Sequence, residues 1–118
     1  MKLNHLNLTV TDAAETAEFL EKYFGLRSME GLEQKKTFAM VRDDNGLVLT
    51  LMRAGRTAEV TYPETFHIGF IQESEAQVNE INQRLKADGY EVPPPARMHG
   101  SWTFYFTAPG GFTIEVLA

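Results

Sequence analysis

Polar and apolar side chains alternate at the start of the chain. From Leu3 to Val10, the residues Leu3, His5, Asn7 and Thr9 would project to one side of a strand, and Asn4, Leu6, Leu8 and Val10 to the other, since successive strand side chains point to opposite faces. The period then changes. Asp12 and Glu15 have the spacing of a helix-capping pair. Ala13, Ala17, Leu20 and Phe24 follow at intervals of four, three and four and form one apolar stripe. Gly25 stands where a helix commonly ends. Three short strands are expected next: Arg27 to Leu32, Lys36 to Arg42 and Leu47 to Met52, the last two joined by the turn Asp43-Asp44-Asn45-Gly46. Gly55 to Glu64 is polar, contains Pro63 and reads as a linker.

The second half follows the same plan. Phe66 to Ile71 reads as a strand, Ser74 and Gln77 as a capping pair, and Val78, Ile81 and Leu85 as a helical stripe that Gly89 terminates. Pro93-Pro94-Pro95 forces an extended, irregular stretch. Trp102 to Thr107 and Phe112 to Leu117 read as strands joined by Ala108-Pro109-Gly110-Gly111. Set side by side, His5-Leu6 meets His67-Ile68 at an offset of 62, Gly25 meets Gly89 at 64, Phe38 meets Phe104 at 66, and Gly46 to Leu51 meets Gly111 to Val116 at 65. The expected fold is therefore α+β, one domain of two βαβββ repeats: residues 1–54, a linker at 55–64, and residues 65–118. One helix covers one face of each four-stranded sheet. Two such units would form a curved mixed sheet with a cleft, bringing equivalent positions together across a pseudo-twofold axis.

Composition narrows the function. Hydrophobic residues make up 43% of the 118, with eight Phe, four Tyr and one Trp, enough for a packed core. With no cysteine, disulfides, thiolate metal sites and a cysteine nucleophile are excluded. Met1-Lys2-Leu3-Asn4-His5 lacks the apolar run of a signal peptide. No stretch approaches the roughly 20 apolar residues of a membrane span, so a cytoplasmic location without a membrane partner is expected. The net charge of −5 argues against nucleic acid, whose phosphates require a basic face.

The candidate chemistry lies at repeat-related positions. His5 shares its face with Asn7 and Thr9, so that face is polar. His67 is its counterpart, with Gly69 leaving open space two residues on. Glu115 is the carboxylate of the last strand, on the face opposite Phe112, Ile114 and Val116, and a charge so placed needs a partner. Two imidazoles and a carboxylate brought together by the duplication would form a facial triad suited to a divalent metal with open positions. Thr103 and Tyr105 fall on the face opposite Trp102, Phe104 and Phe106, and the Tyr105 hydroxyl would orient or protonate a ligand. Arg97, His99 and Trp102, in or beside the proline-rich segment, would form a lid with a mobile acid–base or a stacking platform.

The segments LNHLNLTV, FLEKYFGL, FHIGF and FTAPGGFTIEVLA resemble the vicinal-oxygen-chelate superfamily of glyoxalase I, fosfomycin-resistance transferases, extradiol dioxygenases and bleomycin-resistance proteins. The last segment is similar to the family's DPDGxxIEL ending, with Ala108 and Gly110 in place of its aspartates. The resemblance implies a metal-dependent enzyme (lyase, isomerase, transferase or dioxygenase) that holds a small oxygenated substrate on Mn, Fe, Ni, Co or Zn. His5, His67 and Glu115 match metal-binding positions of catalytic members. The fourth ligand of glyoxalase I falls on Thr50, the repeat mate of Glu115, with Val48 and Met52 beside it by strand parity. Substrate contacts are expected from Asn7, Thr50, Met52, Arg97, His99, Trp102 and Thr103, and catalytic roles from Glu115 and Tyr105. The resemblance also implies a homodimer in which His5 of one chain meets His67 and Glu115 of the other. The alternative it carries is a metal-free protein that sequesters a drug-like molecule, and a sensor or partner-binding scaffold is a third reading.

Overall fold

The computed structural model describes residues 1–55 and 59–118. Residues 56–58, inside the expected linker, lie outside the described residues. Two compact units are present, Met1–Tyr62 with Pro109–Phe112, and Pro63–Ala108 with Thr113–Ala118.

The first unit holds β1 (His5–Val10), α1 (Ala13–Phe24), β2 (Arg27–Ser28), β3 (Phe38–Arg42) and β4 (Val48–Arg53) in one sheet of order β1-β4-β3-β2. β1 and β4 are parallel, a pairing that needs a crossover connection. Asp12 starts α1 by accepting a hydrogen bond from the Glu15 amide at 3.0 Å, and Gly25 ends it with φ 68°. Leu8, Val10, Ala39, Val41, Leu49 and Leu51 bury one sheet face together with Ala13, Ala17 and Leu20 of the helix. β2 is shorter than expected because the chain turns at Gly31, where φ is 77° and the Leu32 amide bonds the Met29 carbonyl. Part of the expected linker is anchored rather than loose. Tyr62 donates to the Thr9 carbonyl at 2.7 Å, and Val60 lies where a Cβ on Gly111 would fall.

The second unit holds β5 (Ile68–Ile71), α2 (Glu75–Ala87), β6 (Ala96–Met98), β7 (Ser101–Thr107) and β8 (Thr113–Leu117), in the order β5-β8-β7-β6. Ser74 caps α2 by accepting from the Gln77 amide at 3.3 Å. Gly89, at φ 93°, follows its end. Val78, Ile81 and Leu85 pack in a core with Phe104, Phe106, Ile114 and Val116. Asn82 holds the proline-rich stretch by donating to the Pro93 carbonyl at 2.8 Å.

Three expectations change. Residues 96–98 are not irregular: they form β6, whose Arg97 pairs with Trp102 and whose Met98 pairs with Ser101. The loop between β6 and β7 is therefore only His99-Gly100, with φ 54° and 78°, the two positive values a tight hairpin turn demands. The repeat offset between β3 and β7 is 65, not 66. Met40 faces Thr50 as Tyr105 faces Glu115, so the mate of Phe104 is the buried Ala39 rather than Phe38. Both histidines stand at strand beginnings, His5 as the first residue of β1 and His67 just before β5, rather than inside longer strands. No helix among the described residues is long and apolar enough to cross a membrane.

Candidate metal centre

Strand parity divides the second sheet. Trp102, Phe104, Phe106, Ile114 and Val116 point to the helix side. Thr103, Tyr105, Glu115, Gly69 and His67 point to the other. Register places Glu115 between Gly69 on β5 and Tyr105 on β7, so its carboxylate is reached from both neighbouring strands.

Oε1 of Glu115 receives the Thr103 hydroxyl at 3.0 Å. Oε2 lies 3.3 Å from Nε2 of His67. The Tyr105 phenol is the cross-strand neighbour of this carboxylate, and burial first, then hydrogen bonding to and the negative charge of Glu115, raise it above its ordinary value. The His67 and Tyr105 rings meet edge to face with centroids 5.3 Å apart. Glu115 is only 13% exposed and His67 40%, so the carboxylate is recessed and the imidazole borders solvent.

The second nitrogen of His67 decides what the pair can do. Nδ1 lies 3.0 Å from the Thr65 carbonyl, which can only accept, so Nδ1 carries the hydrogen. A neutral ring then aims the Nε2 lone pair at a carboxylate oxygen. Two acceptors at this distance repel unless a cation stands with them, either a proton on Nε2 or a metal ion. Imidazole nitrogen and carboxylate oxygen suit Mn, Fe, Co, Ni or Zn, and a carbonyl on the distal nitrogen is how proteins orient ligating histidines. The residues present therefore fit a divalent metal. His5 has the same arrangement in its own unit, with Nδ1 2.9 Å from the Asn4 amide oxygen and its ring exposed. No group of three or more His, Cys, Asp or Glu side chains placed to hold a metal ion occurs among the described residues. His67 and Glu115 are the two expected ligands that share a unit.

Other expected residues fall differently. Asn7 pairs with Thr50, and Thr50 with Met40, on the open face of the first sheet. Met52, on that face, is 45% exposed. This copy of the frame holds a hydroxyl and a thioether where the second holds a carboxylate and a phenol. Thr103 is fully buried and touches Glu115, so it holds the carboxylate instead of reaching a substrate. Arg97 and Trp102 lie on the helix side, away from Glu115. Arg97 bonds Glu75 and sits 5.5 Å above the Trp102 ring, and the Trp102 indole donates to Asn79 at 2.8 Å. With His99 fixed in a two-residue turn, this segment is a hairpin packed on α2, not a lid. Sequence reasoning passed over Asn4 and the Thr65 carbonyl as partners of the histidines. The adjacency of Asn4 and His5 was the one available signal, since a backbone carbonyl leaves none.

The model of the Glyoxalase/Bleomycin resistance protein/Dioxygenase superfamily matches residues 2–116. The chain belongs to this superfamily. Members typically bind a divalent metal. Among solved structures, a possible glyoxalase from Bacillus cereus is 55% identical, with a TM-score of 0.88, and the match covers 100% of this chain and 99% of that one. A lactoylglutathione lyase from Agrobacterium tumefaciens is 20% identical at a TM-score of 0.74, covering 98% of this chain and 92% of that one. Oxidase ChaP-H2 is 23% identical at 0.77, covering 100% and 93%. The last two likenesses are of fold, which in this superfamily carries several chemistries. Comparison with curated proteins returned no match.

Proposed function

We propose that this superfamily member is a metal-dependent enzyme acting on a small oxygenated molecule, with His67 and Glu115 as two ligands and the partner subunit's His5 as the third. The observation that supports this most is the approach of His67 Nε2 to Glu115 Oε2 at 3.3 Å with Nδ1 already committed to Thr65. Homodimerisation and the shared ligand set rest on the family resemblance.

A divalent metal bound there would supply Lewis-acid polarisation of two substrate oxygens. The chain's own residues supply the rest. Thr103 orients Glu115, and Thr65 fixes the His67 tautomer. Tyr105 keeps its proton at neutral pH because burial and the adjacent carboxylate disfavour the phenolate. Its hydroxyl is thus a donor that orients or protonates a substrate oxygen beside Glu115. Glu115, once released by Tyr105, is the carboxylate available to take a substrate proton. This set serves a lyase, isomerase, transferase or dioxygenase. The 55% identical relative, described as a possible glyoxalase, weights the proposal toward proton-moving lyase or isomerase chemistry.

The test loads the protein separately with Mn, Fe, Co, Ni and Zn and assays α-hydroxycarbonyl and vicinal-diol compounds. Turnover by at least one form, lost about 100-fold or more in Glu115→Gln, is expected. Tight binding of aromatic compounds by the metal-free protein, without turnover by any metal form, would replace this proposal with drug sequestration.

A further inference from the structure

The protein has nine glycines, and eight of them adopt positive φ values, where glycine is favoured. Gly69 is the exception: it lies within β5 in backbone that any residue adopts. Packing does not require glycine there either. A Cβ on Gly69 would lie 3.5 Å from Leu117 Cδ2 and 3.7 Å from Glu115 Oε2, both ordinary van der Waals contacts. Glycine inside a strand weakens it and often marks a close approach by something else. Its cross-strand partner is Glu115, and Gly69 itself is exposed.

We infer that Gly69 is the specificity-determining residue of the site. Its missing side chain reserves the space between Leu117 and the Glu115 carboxylate for the apolar part of a substrate whose oxygens engage the metal. The inference rests on the metal-dependent reading above. The borders define the class of group admitted. Leu117 offers a methyl, Tyr105 closes the far side of Glu115 with a ring and hydroxyl, and Ile71, 78% exposed, continues the same face of β5. An uncharged hydrocarbon or aromatic edge fits these walls, and each carbon added at position 69 subtracts from the room.

The experiment compares wild type, Gly69→Ala and Gly69→Val loaded with Co(II), using the visible Co(II) spectrum to titrate acetohydroxamate and benzohydroxamate. All three should bind Co(II) within about threefold of one another. Benzohydroxamate affinity should fall about threefold in Gly69→Ala and about tenfold or more in Gly69→Val, with acetohydroxamate less affected. The thermal midpoints of the variants should equal or exceed that of wild type, because β-branched residues and alanine suit a strand better than glycine. If Gly69→Val binds both hydroxamates as wild type does, the inference is overturned while the metal reading stands. Loss of Co(II) from both variants also overturns it, since the glycine then clears the ligand carboxylate instead of the substrate. Wild type that takes up no Co(II) overturns the metal reading, and this inference with it.

Discussion

The buried hydroxyl of Thr103 lies 3.0 Å from Oε1 of Glu115, its diagonal neighbour across the β7–β8 ladder. Oγ1 of Thr103 is also 3.0 Å from the Val116 carbonyl oxygen. One hydroxyl proton is shared between two acceptors, and the Thr103 rotamer is thereby fixed against both. The carboxylate inherits that order. Thr103→Val keeps the shape and removes the hydroxyl. Metal affinity should fall about 10-fold to 100-fold, as for other residues that orient ligands, while denaturant stability changes by only about 1 kcal/mol. Thr103→Ser should restore affinity. Equal affinities in wild type and Thr103→Val would remove Thr103 from the site.

Tyr105 supplies a pH signature. Its phenol is raised chiefly by burial and then by Glu115, so the folded state holds the proton more tightly than the unfolded state does. The associated stabilisation is complete below the ordinary tyrosine value of about 10 and is lost as pH rises through the folded value. The difference in absorbance titration at about 295 nm between wild type and Tyr105→Phe should show a step above pH 10. In a Glu115→Gln background the step should move down but stay above 10, because burial remains. No movement in that background would mean that Glu115 does not act on Tyr105.

Gly110 tests the packing of the first unit. Its φ is 104°, and a Cβ there would lie 2.7 Å from Thr16 Oγ1 and 3.2 Å from two carbons of Val10. The Thr11 amide also bonds its carbonyl at 3.3 Å. Gly110→Ala should cost about 3 kcal/mol in denaturant unfolding, from left-handed strain and overpacking together. A loss below about 0.5 kcal/mol, the range of ordinary surface changes, would contradict this geometry.

Much of this architecture was legible because its signals are local. Asp12, Gly25 and Ser74 announce helix ends through bonds made within a few residues. Strand period 2 correctly set His67, Tyr105 and Glu115 on one face. The failures arose where a local signal was masked or where a partner distant in sequence decided the structure. β6 was hidden by three prolines, although pairing with β7 begins just after them at Ala96. The match of Phe38 to Phe104 followed residue likeness, whereas hydrogen-bond register makes Ala39 the true mate. Thr103 read as a ligand contact because parity tells which face a residue occupies but not what lies 3 Å from its hydroxyl. Parity had already set Trp102 opposite Tyr105, but Arg97 could be assigned to the helix side only once its pairing with Trp102, and Glu75 beneath it, were seen.

The turn at His99 offers a direct check on that reassignment. Asparagine tolerates positive φ better than most residues. His99→Asn should leave stability unchanged or raise it by up to about 0.5 kcal/mol, and turnover should persist across the pH range. Loss of activity in His99→Asn would return His99 to the site as an acid–base group.

The most direct measurement is the metal content of untagged protein by elemental analysis, before and after reconstitution, with His67→Ala alongside. About one equivalent of divalent metal per Glu115–His67 pair, absent from His67→Ala, is the expected result. Wild type that holds no metal even after reconstitution would contradict the account, leaving the 3.3 Å approach of His67 to Glu115 as a protonated ion pair and no more.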